Sequence, residues 1–328
     1  MDRKQVGKSD VQISGIGLGT TTFGREIDQD TAFEIMDYAV EKGITFFDTA
    51  EAYGGGNSYE GRKQADGTTD VREKSTEMSS SELIIGRWMK SRGSRKDIEL
   101  CTKISGGKAR PEQIKNALDA SLERLGTDHV DIYKIHSPDV TTPINESLGA
   151  LDEQVNLGKI KVFGGSNYSG QQISEMLNEA KKNGYRKFEI MQPNYNLAVP
   201  DAETDVFPIC VKEQIAITPY SPLGAGFLTG KYIRGDRTAI PKGTRMDVAP
   251  GHIDIYFNDR SFNIVDNLKT KANELSVPIT QLAMGWVMSH PAVTAALAGA
   301  KSTSHLQNAI NAYNMDLSEL RDEMSAWE

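Results

Sequence analysis

Four polar residues stand where short apolar runs stop. Asp48 closes ITFFD, Lys103 closes IELCTK, His136 closes VDIYKIH, and Tyr53 follows Asp48 by five positions in FFDTAEAYG. A carboxylate, an ammonium, a phenol and an imidazole make an acid–base set once they meet. The ammonium favours phenolate and lowers the phenol pKa, and the carboxylate orients the ammonium. Singly, each residue has an ordinary reading: an Asp that caps a loop, a solvated Lys, a satisfied His, a turn Tyr. Their joint occurrence at run ends is harder to credit to packing. Further runs end in Ser166 and Asn167, in Gln192, and in Tyr220 followed by Ser221, Pro222, Leu223 and Gly224.

Those runs alternate with longer amphipathic stretches. The strand candidates are Gly15–Gly19, Thr45–Asp48, Ile98–Lys103, Val130–His136, Ile160–Ser166, Glu189–Pro193, Ala216–Tyr220 and Val293–Leu297. The helical stretches are Thr31–Lys42, Ser81–Ser91, Pro111–Leu125, Ile144–Leu157, Gln171–Lys182, a weaker Asp201–Gln214, Phe262–Leu275 with Thr280–Ser289, and Ser304–Tyr313. Strands alternating with helices mean parallel strands and crossovers, in a doubly wound sheet or a closed barrel. Near-even units over roughly 290 residues, without a composition break, favour a (β/α)8 TIM barrel spanning residues 1–328 as one domain. Arg3–Ile13 is expected as a hairpin under the barrel and Leu317–Trp327 as an extra C-terminal helix. In such a barrel chemistry lies where strands end, which is where the polar set falls. Alternation puts Cys101 inward with Lys103, as buried packing rather than a reactive thiol, and Lys134 inward with His136. A buried Lys134 needs a partner, Glu99 for instance, or a bulge that turns it outward.

Several classes are disfavoured. The chain has 328 residues and a net charge of −8, which offers no nucleic-acid footprint. No apolar run reaches membrane-spanning length and the N-terminus lacks a signal-peptide core, so a cytoplasmic protein is expected. Two cysteines give no disulfide framework. GIGLGT at 15–20 lacks the third glycine of a dinucleotide fingerprint, and no Walker lysine pattern occurs, so a nucleotide site must be built from barrel loops. The scattered histidines leave no metal-ligand cluster. A two-carboxylate hydrolase would need a second acid facing Asp48, and Glu189 lies at the wrong end of its strand.

In consistent order, FFDTAEAYG (46–54), LCTK (100–103), DIYKIH (131–136), GGSN (164–167), QPNYN (192–196), PYSPLGAGFLTGK (219–231), IGLGT (16–20) and AGAKS (298–302) resemble the segments of aldo-keto reductases, in the branch that includes bacterial enzymes and potassium-channel β-subunits. The resemblance runs from Gly15 to about Ala312. It implies NADP(H), with NAD(H) the lesser choice, and hydride transfer between cofactor and a carbonyl or alcohol carbon. The implied catalytic residues are Tyr53 as proton donor and acceptor, Lys103, Asp48 as its counter-ion, and His136 on the substrate oxygen. The implied cofactor residues are Gly19, Thr20, Thr21 and Asp48; Ser166, Asn167 and Gln192 for the carboxamide; Tyr220 as a stacking face; Ser221, Pro222, Leu223, Gly224, Gly226 and Lys231; and Gly299, Lys301, Ser302, His305 and Asn308 at the adenosine end. Lys301 and Ser302 suit a 2′-phosphate.

The sequence also departs from the family. The polar stretch 57–80 looks inserted after Tyr53, either as a surface loop or as a lid over the substrate. The family's Glu-Asn pair is missing at Asn308-Ala309, and Lys134 stands at a place usually neutral. The implied partner is a small carbonyl or alcohol, with no nucleic acid or membrane. Polar loops such as 57–80 and 234–259 hint at a hydroxylated, sugar-like compound. The alternative within the same fold is a cofactor-sensing binding subunit with little turnover.

Overall fold

The computed structural model describes residues 1–55 and 74–327. Its chain opens with an antiparallel hairpin, β1 (Arg3–Gln5) and β2 (Gln12–Ser14). Eight parallel strands follow: β3 (Ile16–Gly19), β4 (Phe46–Asp48), β5 (Glu99–Ile104), β6 (Val130–Ile135), β7 (Ile160–Ser166), β8 (Ile190–Gln192), β9 (Ala216–Ile217) and β10 (Ala296–Gly299). They pair in chain order, and β10 pairs with β3. The segments of β9 and β10 are joined by Thr294 N–H to Ile217 O at 2.8 Å and Leu297 N–H to Pro219 O at 3.0 Å. The eight strands thus curl into the expected (β/α)8 barrel.

Helices cover the outside. In α1 (Gln29–Glu41), the carboxylate of Asp28 caps the Thr31 N–H, and Ala32, Ile35, Met36 and Ala39 turn inward at helical spacing. The next are α2 (Ser80–Arg92), α3 (Pro111–Leu125), α4 (Ile144–Asn156) and α5 (Gly170–Asn183). Pro111 occupies the first turn of α3, where its missing N–H costs nothing, and Gly126 ends the helix at φ 65°. The stretch expected at 201–214 is two short helices, α6 (Ala202–Asp205) and α7 (Phe207–Lys212), because Pro208 can open a helix but not continue one. The polar loop expected at 234–259 contains α8 (Arg245–Val248) and α9 (Gly251–Tyr256), which bury Met246, Val248 and Tyr256. The remaining helices are α10 (Asp259–Leu275), α11 (Ile279–Met288), α12 (Thr303–Tyr313) and the C-terminal α13 (Arg321–Ser325). No helix among the described residues is long and apolar enough to cross a membrane.

Two apolar layers result. The larger lies between strands and helices. The smaller fills the barrel with Phe46, Cys101, Ile132, Val162, Ile190, Ala216 and Leu297, and the hairpin closes its lower end with Val6, Val11 and Ile13. The lower end is therefore plugged, and the carboxyl ends of the strands form the barrel's open mouth. Gly164 is one place where this packing demands glycine: a Cβ there would lie 2.0 Å from Ile190 O.

Residues 57–73 of the expected insertion, with Tyr59, Arg62, Lys63 and Arg72, lie outside the described residues. Its C-terminal end is firmly built. Ser75 N–H donates to Gly24 O at 2.8 Å, Ser79 Oγ donates to Glu51 O at 2.6 Å, and Ser80 already belongs to α2.

Candidate active site

Asp48 ends β4 at the mouth of the barrel, 1% exposed. Its carboxylate is shared three ways. Lys103 Nζ donates to Oδ1 at 2.5 Å, and Lys134 Nζ and Gln192 Nε2 each donate to Oδ2 at 3.1 Å. Lys103 also donates to Thr49 O at 2.7 Å. The lysines are register partners on β5 and β6, which aims both at the carboxylate of β4, and neither is exposed to solvent.

Lys134 therefore takes neither expected course. It does not turn outward, and it does not pair with Glu99, which bonds Arg3 at 2.5 Å and Thr45 at 2.5 Å near the hairpin. Burial alone would raise the Asp48 pKa, but the charges of Lys103 and Lys134 outweigh it and hold the carboxyl far below its ordinary value. Burial likewise opposes the Lys103 charge, and Asp48 reverses this, so Lys103 titrates above an ordinary lysine.

Tyr53 leaves β4 on a short turn in which its N–H bonds Ala50 O at 3.0 Å. Its hydroxyl oxygen lies 3.4 Å from His136 Nε2, with the rings edge to face. The Lys103 ammonium sits 4.8 Å from the Tyr53 ring centroid. Lys103 does pull the phenol pKa downward as expected, yet burial is the larger effect and the Tyr53 pKa is raised. Lowering by the ammonium alone was an incomplete expectation, because the cost of burying a phenolate was not visible in sequence. Burial, with the Lys103 charge second, pushes His136 down to about 3, so its imidazole is neutral at physiological pH. Burial pushes the Cys101 thiol up to about 12, in keeping with a packing role.

The next strand ends are tied together. Ser166 Oγ donates to Gln192 O at 2.7 Å, and Asn167 Nδ2 donates to His136 O at 2.9 Å and to Ser166 Oγ at 3.2 Å. Tyr220 Oη donates to Asn167 Oδ1 at 2.8 Å. Asn167 adopts φ 63°, a left-handed turn that Asn tolerates better than most residues. Ser166, Asn167, Gln192 and Tyr220 thus form a polar girdle beside Asp48, Tyr53 and His136.

Beyond Tyr220, Ser221, Gly224, Ala225 and Gly226 all adopt positive φ. Asn196 Nδ2 supports the turn by donating to Ser221 O at 3.0 Å and to Tyr256 Oη at 3.1 Å. At Gly224 both φ 56° and the Tyr256 ring, 3.0 Å from a would-be Cβ, require glycine. Neither Asn196 nor Tyr256 was expected at the site. The QPNYN segment pointed toward Asn196, but nothing local linked Tyr256 to it.

At the far side of the mouth, burial and then the neighbouring Lys301 charge push the Lys231 pKa down. Burial, Lys301 and Lys231 do the same to His305. Basic groups that disfavour one another's charge at one spot suit an anion. Lys301 Nζ donates to Gly243 O at 3.0 Å, and Ser302 Oγ is 2.8 Å from Ser304 Oγ. Gly19 and Gly299 are register partners, and a Cβ at Gly299 would meet nothing, so this rim is open. Two expected residues are engaged within the protein. Thr20 Oγ1 donates to Asp48 O at 3.0 Å, and Asn308 Oδ1 accepts from Thr280 Oγ1 at 3.1 Å. Thr21 is half-buried.

The fold is a (β/α)8 barrel with a cluster of ionisable side chains at the carboxyl ends of its strands and the basic residues Lys231, Lys301 and His305 near one another. The chain matches the Aldo/keto reductase family over residues 15–328 and belongs to that family of oxidoreductases, which generally uses nicotinamide cofactors. It is similar to the uncharacterized oxidoreductase YrpG of Bacillus subtilis, 29% identical over 97% of this chain and 92% of that one. A probable voltage-gated potassium channel subunit beta of Arabidopsis thaliana is 33% identical over 96% of this chain and 92% of its own. Norsolorinic acid reductase B of Aspergillus parasiticus is 28% identical over 97% and 81%.

Proposed function

We propose that this protein reduces an aldehyde or ketone to an alcohol, or runs the reverse, with NADP(H) as hydride carrier and Tyr53 as the proton donor. The observation that carries this reading is the approach of Tyr53 Oη to His136 Nε2 at 3.4 Å, above a Lys103 anchored on Asp48. A carbonyl oxygen placed between phenol and imidazole would accept hydrogen bonds from both. Neutral His136 then orients the oxygen as a donor without competing as an acid. Lys103 stabilises the phenolate left after proton transfer, which offsets the burial that makes Tyr53 a weak acid.

The residues present fit a nicotinamide dinucleotide. Tyr220 offers a ring face, Ser166, Asn167 and Gln192 offer both donors and acceptors for a carboxamide, and Lys231, Lys301 and His305 offer positive charge for phosphates. When bound, the cofactor supplies the hydride; the chain's own groups supply proton, orientation and charge. Hydroxylated, sugar-like carbonyls are the first substrates to test. A panel of carbonyls and alcohols, followed by cofactor absorbance with NADPH and NADH, decides the matter. Turnover faster with NADPH supports the proposal, and none with either cofactor defeats it.

The similarity to the Arabidopsis channel subunit beta favours a second reading, a barrel that binds the cofactor as a sensor. Tight cofactor binding without turnover of any carbonyl in the panel would select it.

A further inference from the structure

Three charged side chains are sealed at the barrel mouth: Asp48, Lys103 and Lys134. The other buried acids among the described residues are committed elsewhere. Glu82 holds Arg124 at 2.6 Å, and Asp131 holds Arg95 at 2.9 Å and Lys161 at 2.6 Å. Glu99 faces Arg3 at the opposite end of its strand. Glu51, on the turn after β4, is half-buried and accepts from Ser105 N–H at 2.7 Å. His136 adds no charge at neutral pH. Two ammonium groups therefore share one carboxylate, and the sealed cluster carries a surplus positive charge. Lys134 is the source of the surplus, because Lys103 and Asp48 alone would balance. A surplus charge is felt strongly here, since apolar side chains rather than water lie beneath it: Phe46, whose ring centroid is 5.4 Å from Lys134 Nζ, with Cys101 and Ile132.

The oxidised nicotinamide ring is a cation and the reduced ring is neutral. We propose that Lys134, acting through the shared Asp48 carboxylate, biases the site toward the reduced cofactor by placing a surplus positive charge under the nicotinamide subsite. Lys134 is a positioning residue in this sense and not a proton donor. The inference rests on the reading that a nicotinamide cofactor binds at this mouth.

The test is a binding ratio, independent of turnover. Dissociation constants of NADP+ and NADPH are measured by calorimetry for the wild type, Lys134→Met and Lys134→Gln. Met keeps the stem and removes the charge; Gln keeps a donor toward Asp48 and also removes the charge. Both variants should lower the ratio Kd(NADP+)/Kd(NADPH) by about tenfold, the order expected for one unit charge in a partly screened interior. For a two-electron couple that is about 30 mV in the bound cofactor's potential. A merely structural role would weaken both cofactors alike and leave the ratio unmoved. If the wild type binds both cofactors and neither folded variant changes the ratio by more than about twofold, the charge inference fails alone. If the wild type binds neither cofactor, the functional reading fails and takes this inference with it. Should Lys134→Met not fold, the Gln variant decides by itself.

Discussion

Replacing Asp48 by asparagine would remove the charge that two sealed ammonium groups share while keeping the side chain's shape. Lys103 and Lys134 have no exposure through which water could take over. Breaking a buried ion pair by removing one partner costs about 3–5 kcal/mol. Unfolding entropy of ~2.1 cal/mol/K per residue over 328 residues is about 0.7 kcal/mol/K, so Asp48→Asn should lower Tm by roughly 4–7 °C. Scanning calorimetry reads this directly. The sign with pH follows from the two shifts. The depressed Asp48 pKa gives stability that is complete above the ordinary carboxyl value of about 3.9 and is lost as pH falls through the folded value. The raised Lys103 pKa gives stability that is complete below about 10.4 and is lost as pH rises through the folded value. The wild type's share of this stability should therefore stay level from about pH 5 to 9, while in the variant the stranded lysines, their pKa values lowered by burial, make the Tm gap shrink as pH rises. A double variant, Asp48→Asn with Lys134→Met, should regain roughly 2–4 °C, because one of the stranded charges is gone. A gap under about 1 °C, or a double variant less stable than Asp48→Asn, would refute the shared-carboxylate account.

Tyr53→Phe should abolish most carbonyl turnover while NADPH affinity stays within about twofold, since the hydroxyl acts on the transition state; a fully active Phe variant would remove Tyr53 as the acid. Lys301→Ala should weaken NADPH by about tenfold or more and NADH little, because one charge-assisted bond to the extra phosphate is worth ~1.5–3 kcal/mol; equal losses would show that Lys301 does not read the phosphate. His136 should stay neutral by imidazole NMR from pH 8 down to about 4, its folded pKa being about 3. Because the unfolded chain binds that proton near pH 6.5 and the fold does not, this residue makes stability rise with pH between about 3 and 6.5, and His136→Gln should flatten that slope. A titration near 6.5 in the folded protein would contradict the burial argument.

The strand ends were legible because polar residues interrupt apolar runs there, and the order of those runs carries the barrel. Inward alternation raised a buried Lys134 but left an outward-turning bulge equally open, and the strand carries no bulge that turns it out. The partner of Lys134 was not legible, because that depends on the registers that set β4, β5 and β6 side by side. The raised Tyr53 pKa was hidden for a related reason: burial is a property of everything packed around the phenol. The helices α8 and α9 escaped notice because four and six residues are too few to show a period, and their buried side chains stand among polar neighbours. Asn196, which holds Ser221, is itself bonded to Tyr256 sixty positions away, a link that no local pattern reveals.

The turn after Tyr53 and the start of α2 are stitched to each other. Gly55 N–H donates to Ser80 Oγ at 2.8 Å, Lys74 and Ser75 N–H bond Arg25 O at 3.3 Å and Gly24 O at 2.8 Å, and Ser81 N–H reaches Tyr53 O at 3.4 Å. Both ends of the connection between them are therefore held. Lengthening a flexible connection between fixed ends costs little, about 0.6 kcal/mol for each doubling. Evolution, or an engineer, can therefore exchange the sequence here for one of a different length and chemistry while the proton-handling groups keep their places, which makes this the barrel's natural grafting port.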